Sequence, residues 1–204
     1  MAPYFESVKS FADVPVTDAG VDTVAFLEAA EGVVRLFDLL GSSAFTVVQN
    51  DLKGNIIKVR ARYEAFPDQS KTLEMLVENE KGEKKRVATE GLMWLLRGLS
   101  FTCKSLQTAQ ANKSEELSAA FIKGYGVTLK KFHNIVVKGV FSIAMKACPY
   151  RKDFYAKLAA DPAGGPSVSD DKLNEDLNKW LAALDAIVIR MEVFYEKGGH
   201  NKGF

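Results

Sequence analysis

The sequence predicts an all-α fold. Apolar residues recur at helical spacing along most of the chain, as in Leu173, Leu177, Leu181, Leu184, Ile187 and Met191. Capping and breaking residues punctuate these stretches: Asp22, Thr23 and Ser169 at starts, Gly41, Pro67 and Pro149 at breaks. The one strand-like run, Ile135-Val-Val-Lys-Gly-Val140, has nothing nearby to pair with.

The elements follow in order. Tyr4, Phe5, Val8 and Phe11 suggest a short N-terminal helix before a loop at Pro15. Asp22 or Thr23 caps a helix that runs to Gly41, with Leu27, Val34, Phe37 and Leu40 inward. A second helix carries Phe45, Val48, Leu52, Ile56, Val59 and Tyr63 on one stripe and ends before Pro67. Pro67 suits the first turn of a third, which fades near Asn79 to Gly82. Residues 88–111 form a long helix with Trp94, Arg97 and Phe101. Ser114, Glu115 and Glu116 open another, since acidic residues favour a helix N-terminus. The pattern continues from Leu129 to Lys146, and Pro149 stops it. Asp161 to Ser169 is a Pro/Gly/Ser loop, and Ser169 caps a last long helix. No repeat or low-complexity tract appears, so one domain over residues 1–204 is expected.

Composition excludes several classes. Lys plus Arg total 27 against 26 Asp plus Glu, so no strong field favours nucleic acid. The two cysteines, Cys103 and Cys148, make no disulfide framework and fit a reducing compartment. No basic segment followed by an apolar core marks a signal peptide, and no apolar run approaches the length of a bilayer span. The expectation is a cytosolic protein without a cofactor or metal. The two histidines, His133 and His200, have no metal-spaced or nucleophile–base companions, which speaks against an enzyme.

The richest stretch is Asp51-Leu-Lys-Gly-Asn55-Ile-Ile-Lys58. Its spacing of four and then three places Asp51, Asn55 and Lys58 on one helical stripe, each within about 40° of the next. Asp accepts hydrogen bonds, Lys donates them and Asn does both. Together they can grip a ligand dense in hydroxyls and amides. An oily stripe runs beside them, which suits a ligand with a polar head and a greasy tail. A stripe of this composition is also what a solvated helix face looks like. Likewise, a Trp between leucines and a His on an apolar face are most often core residues, so Trp94 and His133 stay open on their own residues.

The surroundings carry more. The segment from Phe26-Leu-Glu-Ala to Phe37-Asp-Leu-Leu-Gly41, then Phe45-Thr and Asp51 to Lys58, resembles the glycolipid transfer protein family. Later segments resemble it in the same order: Leu92-Met-Trp94-Leu-Leu-Arg97-Gly-Leu99, Tyr125 to His133, Ala147-Cys-Pro149-Tyr150 and Asp153-Phe154. The likeness is close over residues 24–160 and looser to the C-terminus. It implies a two-layer helical sandwich that binds a glycosphingolipid and moves it between membranes, among kin that include fungal heterokaryon-incompatibility proteins.

The resemblance also implies roles. Asp51 and His133 would take the ceramide amide N–H and C=O, Asn55 and Lys58 would bond the first sugar, and Trp94 would stack on it. The hydrocarbon chains would lie between the layers, with Leu36, Phe37, Leu40, Phe45, Val48, Phe101, Leu129, Phe141, Ala144 and Ile187 as candidate lining. A helix through both His133 and Ile135 separates them by about 200°, so with His133 inward Ile135 faces out. Ile135, with Lys146 and Tyr150, is the candidate membrane contact. Animal members carry Trp where this chain has Ile135. Phosphate-selective members carry Arg where this chain has Trp94, which argues against ceramide-1-phosphate as cargo. A glycolipid sensor or scaffold that acts through a protein partner is the other open reading. The residues do not identify that partner.

Overall fold

The computed structural model describes residues 3–204; Met1 and Ala2, the start of the expected 1–204 unit, lie outside the described residues. Among those described, nine α-helices account for nearly all regular structure: α1 Tyr4–Ser7, α2 Thr23–Leu39, α3 Thr46–Ala65, α4 Leu73–Glu80, α5 Val87–Ala111, α6 Leu117–Val127, α7 Ile135–Lys146, α8 Arg151–Ala159 and α9 Asp170–Gly198. They form the two-layer helical sandwich that the sequence predicts.

Helix α5 is the hub. It packs against α3, α4, α6 and α9, while α2 lies on α3 and α7 on α6. Two glycines let α3 come close. A Cβ on Gly98 would stand 2.8 Å from Leu52 Cδ2, and one on Gly91 3.0 Å from Lys58 Cβ. At the N-terminus of α5 no side chain of its own caps the helix. The buried Glu80 carboxylate at the end of α4 does so instead. It accepts from the backbone N–H of Ala88 at 3.0 Å and of Thr89 at 2.6 Å, and from the Thr89 hydroxyl at 2.7 Å. A carboxylate at a helix N-terminus meets both the unpaired N–H groups and the positive end of the dipole.

The caps at Asp22 and Ser169 form as expected: the Asp22 carboxylate accepts from Ala25 N at 2.8 Å and the Ser169 hydroxyl from Lys172 N at 3.3 Å. The N-terminal helix ends at Ser7, with Phe11 in a separate 3-10 turn, and four further details differ from the sequence reading. First, Pro67–Gln69 is an isolated 3-10 turn, and the helix after it starts only at Leu73. Residues 71 and 72 are drawn into another set of contacts, where Thr23 N donates to Lys71 O at 3.0 Å and the Thr72 hydroxyl to Ala19 O at 3.1 Å. Second, a small hairpin pairs β1 Val16–Thr17 with β2 Gly20–Val21. Gly20 sits at φ 133°, and a Cβ there would collide with Glu74 and Thr72. Third, Arg151–Ala159 forms its own helix after Pro149.

The fourth difference bears on function. The expected helix from Leu129 to Lys146 is broken. Leu129–Lys131 is a 3-10 turn, and α7 begins at Ile135 with Asn134 as its cap, the side chain accepting from Val137 N at 3.0 Å. His133 therefore lies in the connection and not on a helical face with Val137, Val140 and Ala144. An Asn side chain competes well for free N–H groups at a helix start, and that local bond sets the break here.

Candidate functional site

Asn55 is the pivot of the polar stripe on α3. Its side chain is almost fully buried, at 3% exposure. Its Oδ1 accepts from Lys58 Nζ at 3.1 Å, and both Lys58 and Asn55 favour the charged form of the Asp51 carboxyl. The bond to Lys58 sets the amide's orientation. Asp51 reaches solvent, yet neighbouring atoms displace enough water to push its carboxyl pKa up, against the opposing pull of Lys58 and Asn55. A carboxylate short of hydration gains from an incoming hydrogen-bond donor.

Trp94 lies on α5 between Gly91 and Gly98, the glycines that admit α3. The indole therefore stands beside the flank that carries Lys58 and Asn55. It is half-buried, and the His133 ring lies nearly parallel to it, with centroids 6.4 Å apart and planes 18° apart. His133 Nδ1 is 3.1 Å from the Tyr125 hydroxyl. With Tyr125 donating, the imidazole keeps its proton on Nε2 as an outward donor. Burial first, then Lys138 and Arg97, holds the His133 pKa below its ordinary 6.5, so the neutral ring prevails at neutral pH. Lys58 and the Asn55 carbonyl on α3 thus meet α5 at Gly91, one turn before Trp94, and Trp94 in turn faces His133 in the connection before α7.

Beneath this region runs a chain of aromatic rings. His133 meets Phe141 at 4.6 Å between centroids, Phe141 meets Phe101 at 5.9 Å, Phe101 meets Phe121 at 5.7 Å, Phe121 meets Phe45 at 6.1 Å, and Phe45 meets Phe37 at 5.5 Å. Leu36, Leu40, Val48, Leu129 and Ala144 are buried in the same apolar core. Ile187, on α9, is buried in that core as well. The ten candidate tail-lining side chains are all closed off from solvent. Elsewhere, a groove of about 980 Å³ between α8, α9 and the loop before α6 mixes Lys113, Lys152, Asp170 and Asp171. It does not touch the Asp51 cluster.

On the surface, α7 presents apolar groups to water. Ile135 is 83% exposed, Val136 72% and Ile143 67%. Ile135 and Ile143 share a stripe through Gly139 at successive i, i+4 steps. Lys146 ends the helix, and Tyr150, just past it, is 68% exposed. Ile143, Val136, Tyr125 and Phe132 were not singled out from the sequence. The i, i+4 spacing from Ile135 would have found Ile143. Nothing local could have found Tyr125, which is brought to His133 only by the turn at Leu129–Lys131.

A helical sandwich with a polar, aromatic-edged cluster above an apolar interior is the architecture of a binder of amphiphiles. The glycolipid transfer protein family model matches residues 21–160, and the chain belongs to the glycolipid transfer protein family. It is similar to a glycolipid transfer protein of Aureobasidium melanogenum, with 47% identity over 91% of this chain and 89% of that one. Its fold is similar to that of HET-C2, a fungal glycolipid transfer protein, at TM-score 0.87 and 45% identity over 95% of this chain and 96% of the other. It is equally similar in fold to FAPP2, which selects simple glycosphingolipids using this fold, at TM-score 0.87 and 31% identity over 98% of both chains.

Proposed function

We propose that this protein binds a glycosphingolipid and transfers it between membranes, making and breaking no covalent bond. The reading rests on the Asn55–Lys58 pair, whose helix meets α5 at Gly91 one turn before Trp94, and on the contacts of His133 with Trp94 on one side and the interior Phe141 on the other. Asp51 accepts from the ceramide N–H and a sugar hydroxyl. His133 Nε2–H donates to the amide carbonyl. Asn55 and Lys58 bond the first sugar, which stacks on the Trp94 indole. The kinship with proteins that transfer or select glycolipids supports the same assignment.

The tails enter the core by parting helices around Phe37, Phe45, Phe101 and Phe141. Each methylene taken out of water contributes about 0.8 kcal/mol, which offsets the loss of packing as the layers separate. The exposed face of α7, with Ile135, Ile143, Lys146 and Tyr150, is the transient membrane contact of a cytosolic, peripheral protein. A glycolipid sensor that signals to a protein partner uses the same site. Rapid exchange separates a carrier from it.

The test is transfer of labelled lipids between vesicles. Galactosylceramide should move quickly, with phosphatidylcholine and ceramide-1-phosphate slow, because the first lacks the ceramide amide and the second meets Trp94 where a cation is needed. Equal rates for the three lipids would refute the headgroup assignment. Tight binding with negligible exchange would favour the sensor.

A further inference from the structure

The Arg97 guanidinium lies between two rings. Its central carbon is 3.6 Å from the centre of the Phe132 ring and 4.5 Å from that of Trp94. Phe132 also meets the Trp94 ring edge-on, with centroids 6.3 Å apart and planes at 76°. Trp94 and Arg97 stand three residues apart on α5, and Phe132 immediately precedes His133 in the connection to α7. The stack therefore ties one headgroup element to another.

We propose that Arg97 and Phe132 are positioning residues that clamp the Trp94 indole and the His133 connection into one unit, a role that rests on the glycolipid reading above. Three observations support the clamp. Arg97 covers one face of the indole, so a sugar stacks on the opposite face and meets a ring whose tilt is already set. Among the described residues Arg97 has no ion-pair partner; Glu192 and Tyr195 on α9 attract it only from a distance. Its place is thus set by the rings, as a flat, weakly hydrated cation allows. Behind it opens a crevice of about 450 Å³ lined by Arg97, Ser100, Lys104, Phe132 and Glu192. Packing from the rear does not hold the stack, so removing either ring partner frees the guanidinium to swing towards Glu192.

The clamp makes Arg97 and Phe132 act through each other. Short-chain galactosylceramide is the probe, with affinity measured calorimetrically per folded molecule and melting temperature recorded for every variant. Arg97→Ala and Phe132→Ala should each weaken binding about tenfold, and the double variant should be no weaker than the poorer single one. Phe132→Ala leaves α5 intact, yet it should already change the near-ultraviolet circular dichroism of Trp94 without lipid. Independent, multiplying losses would overturn the clamp. So would a loss in Arg97→Ala beside normal binding in Phe132→Ala, which would make Arg97 a direct sugar ligand. Lower melting temperature at unchanged affinity would reduce both residues to structural supports. If wild-type protein fails to bind galactosylceramide at all, the functional reading itself falls, which is a different result from wild-type binding with unaffected variants.

Discussion

A Cβ on Gly91 would stand 3.0 Å from both Cβ and Cδ of Lys58 and 3.5 Å from the Asn55 carbonyl oxygen. The helix that carries Trp94 thus touches Lys58 at a point where only hydrogen fits easily. Gly91→Ala should push α5 off α3 or displace the Lys58 stem. Overpacking of this kind costs about 1–3 kcal/mol. Chemical denaturation should show that loss, and glycolipid transfer should fall further than the folded fraction does, because Lys58 and Trp94 separate. Transfer that simply follows the folded fraction would mean that the spacing of the two helices does not matter to the site.

Asp51 separates function from stability. Its carboxyl pKa is raised in the folded protein, chiefly by burial. The sign follows: the acid form is favoured by folding, so this group's stabilising contribution is present below the unfolded pKa and is lost as pH rises through the folded pKa. At neutral pH the charge opposes folding. Asp51→Val should therefore keep the helical fold and melt no lower than wild type. Glycolipid transfer should vanish, since each hydrogen bond to a charged group contributes about 1.5–3 kcal/mol. Wild-type transfer by the variant would return Asp51 to a solvated helix face.

Much of this was legible in the sequence because it is local. The four-then-three spacing of Asp51, Asn55 and Lys58 survives in any helix, and Asp22 and Ser169 cap where their neighbours' N–H groups are free. What was not legible depends on distant groups or on close competition between local ones. Glu80 caps α5 across a loop, Gly91 matters only once Lys58 is opposite, and Tyr125 reaches His133 through a turn. The break at Asn134 is the instructive case. Apolar periodicity from Leu129 to Lys146 argued for one helix, while a single side-chain bond from Asn134 to Val137 N restarts the helix and leaves His133 in the connection.

His133 gives the site a pH dependence. Its pKa lies below 6.5 because burial, Lys138 and Arg97 all disfavour the cation. The contribution to stability is therefore complete above the unfolded pKa and is lost as pH falls through the lower folded value. Protonation also places a hydrogen on Nδ1, where the Tyr125 hydroxyl now donates. The ring must give up that bond or turn, and Nε2–H loses the direction that the Tyr125 contact sets. Glycolipid affinity should hold at neutral pH and decline only in acid below the ordinary imidazole range, with Trp94 emission quenched by the neighbouring imidazolium. Tyr125→Phe should weaken binding at neutral pH while moving the midpoint of the decline. Unchanged affinity in both Tyr125→Phe and His133→Phe at neutral pH would exclude His133 as a donor to the lipid.

Ile135 tests the membrane face. It is 83% exposed as the first residue of α7, so its orientation comes from the Asn134 cap and not from a helix shared with His133. Ile143, at 67% exposed, continues the same stripe two turns on. A carboxylate at either position must enter the interface to let α7 dock, and an aliphatic group leaves water favourably there. Ile135→Glu and Ile143→Glu should slow vesicle binding and transfer, with the double variant slower than either. Affinity for short-chain galactosylceramide should not change, since neither side chain faces the Asp51 cluster. Ile135→Trp should strengthen vesicle partitioning, because an indole anchors at the interface better than an aliphatic chain. Stability should stay within about 0.5 kcal/mol in all of them, as for other exposed positions. Undiminished transfer by the double glutamate variant would move the docking surface away from α7, to another exposed apolar group such as Val127 or Ile122 on α6.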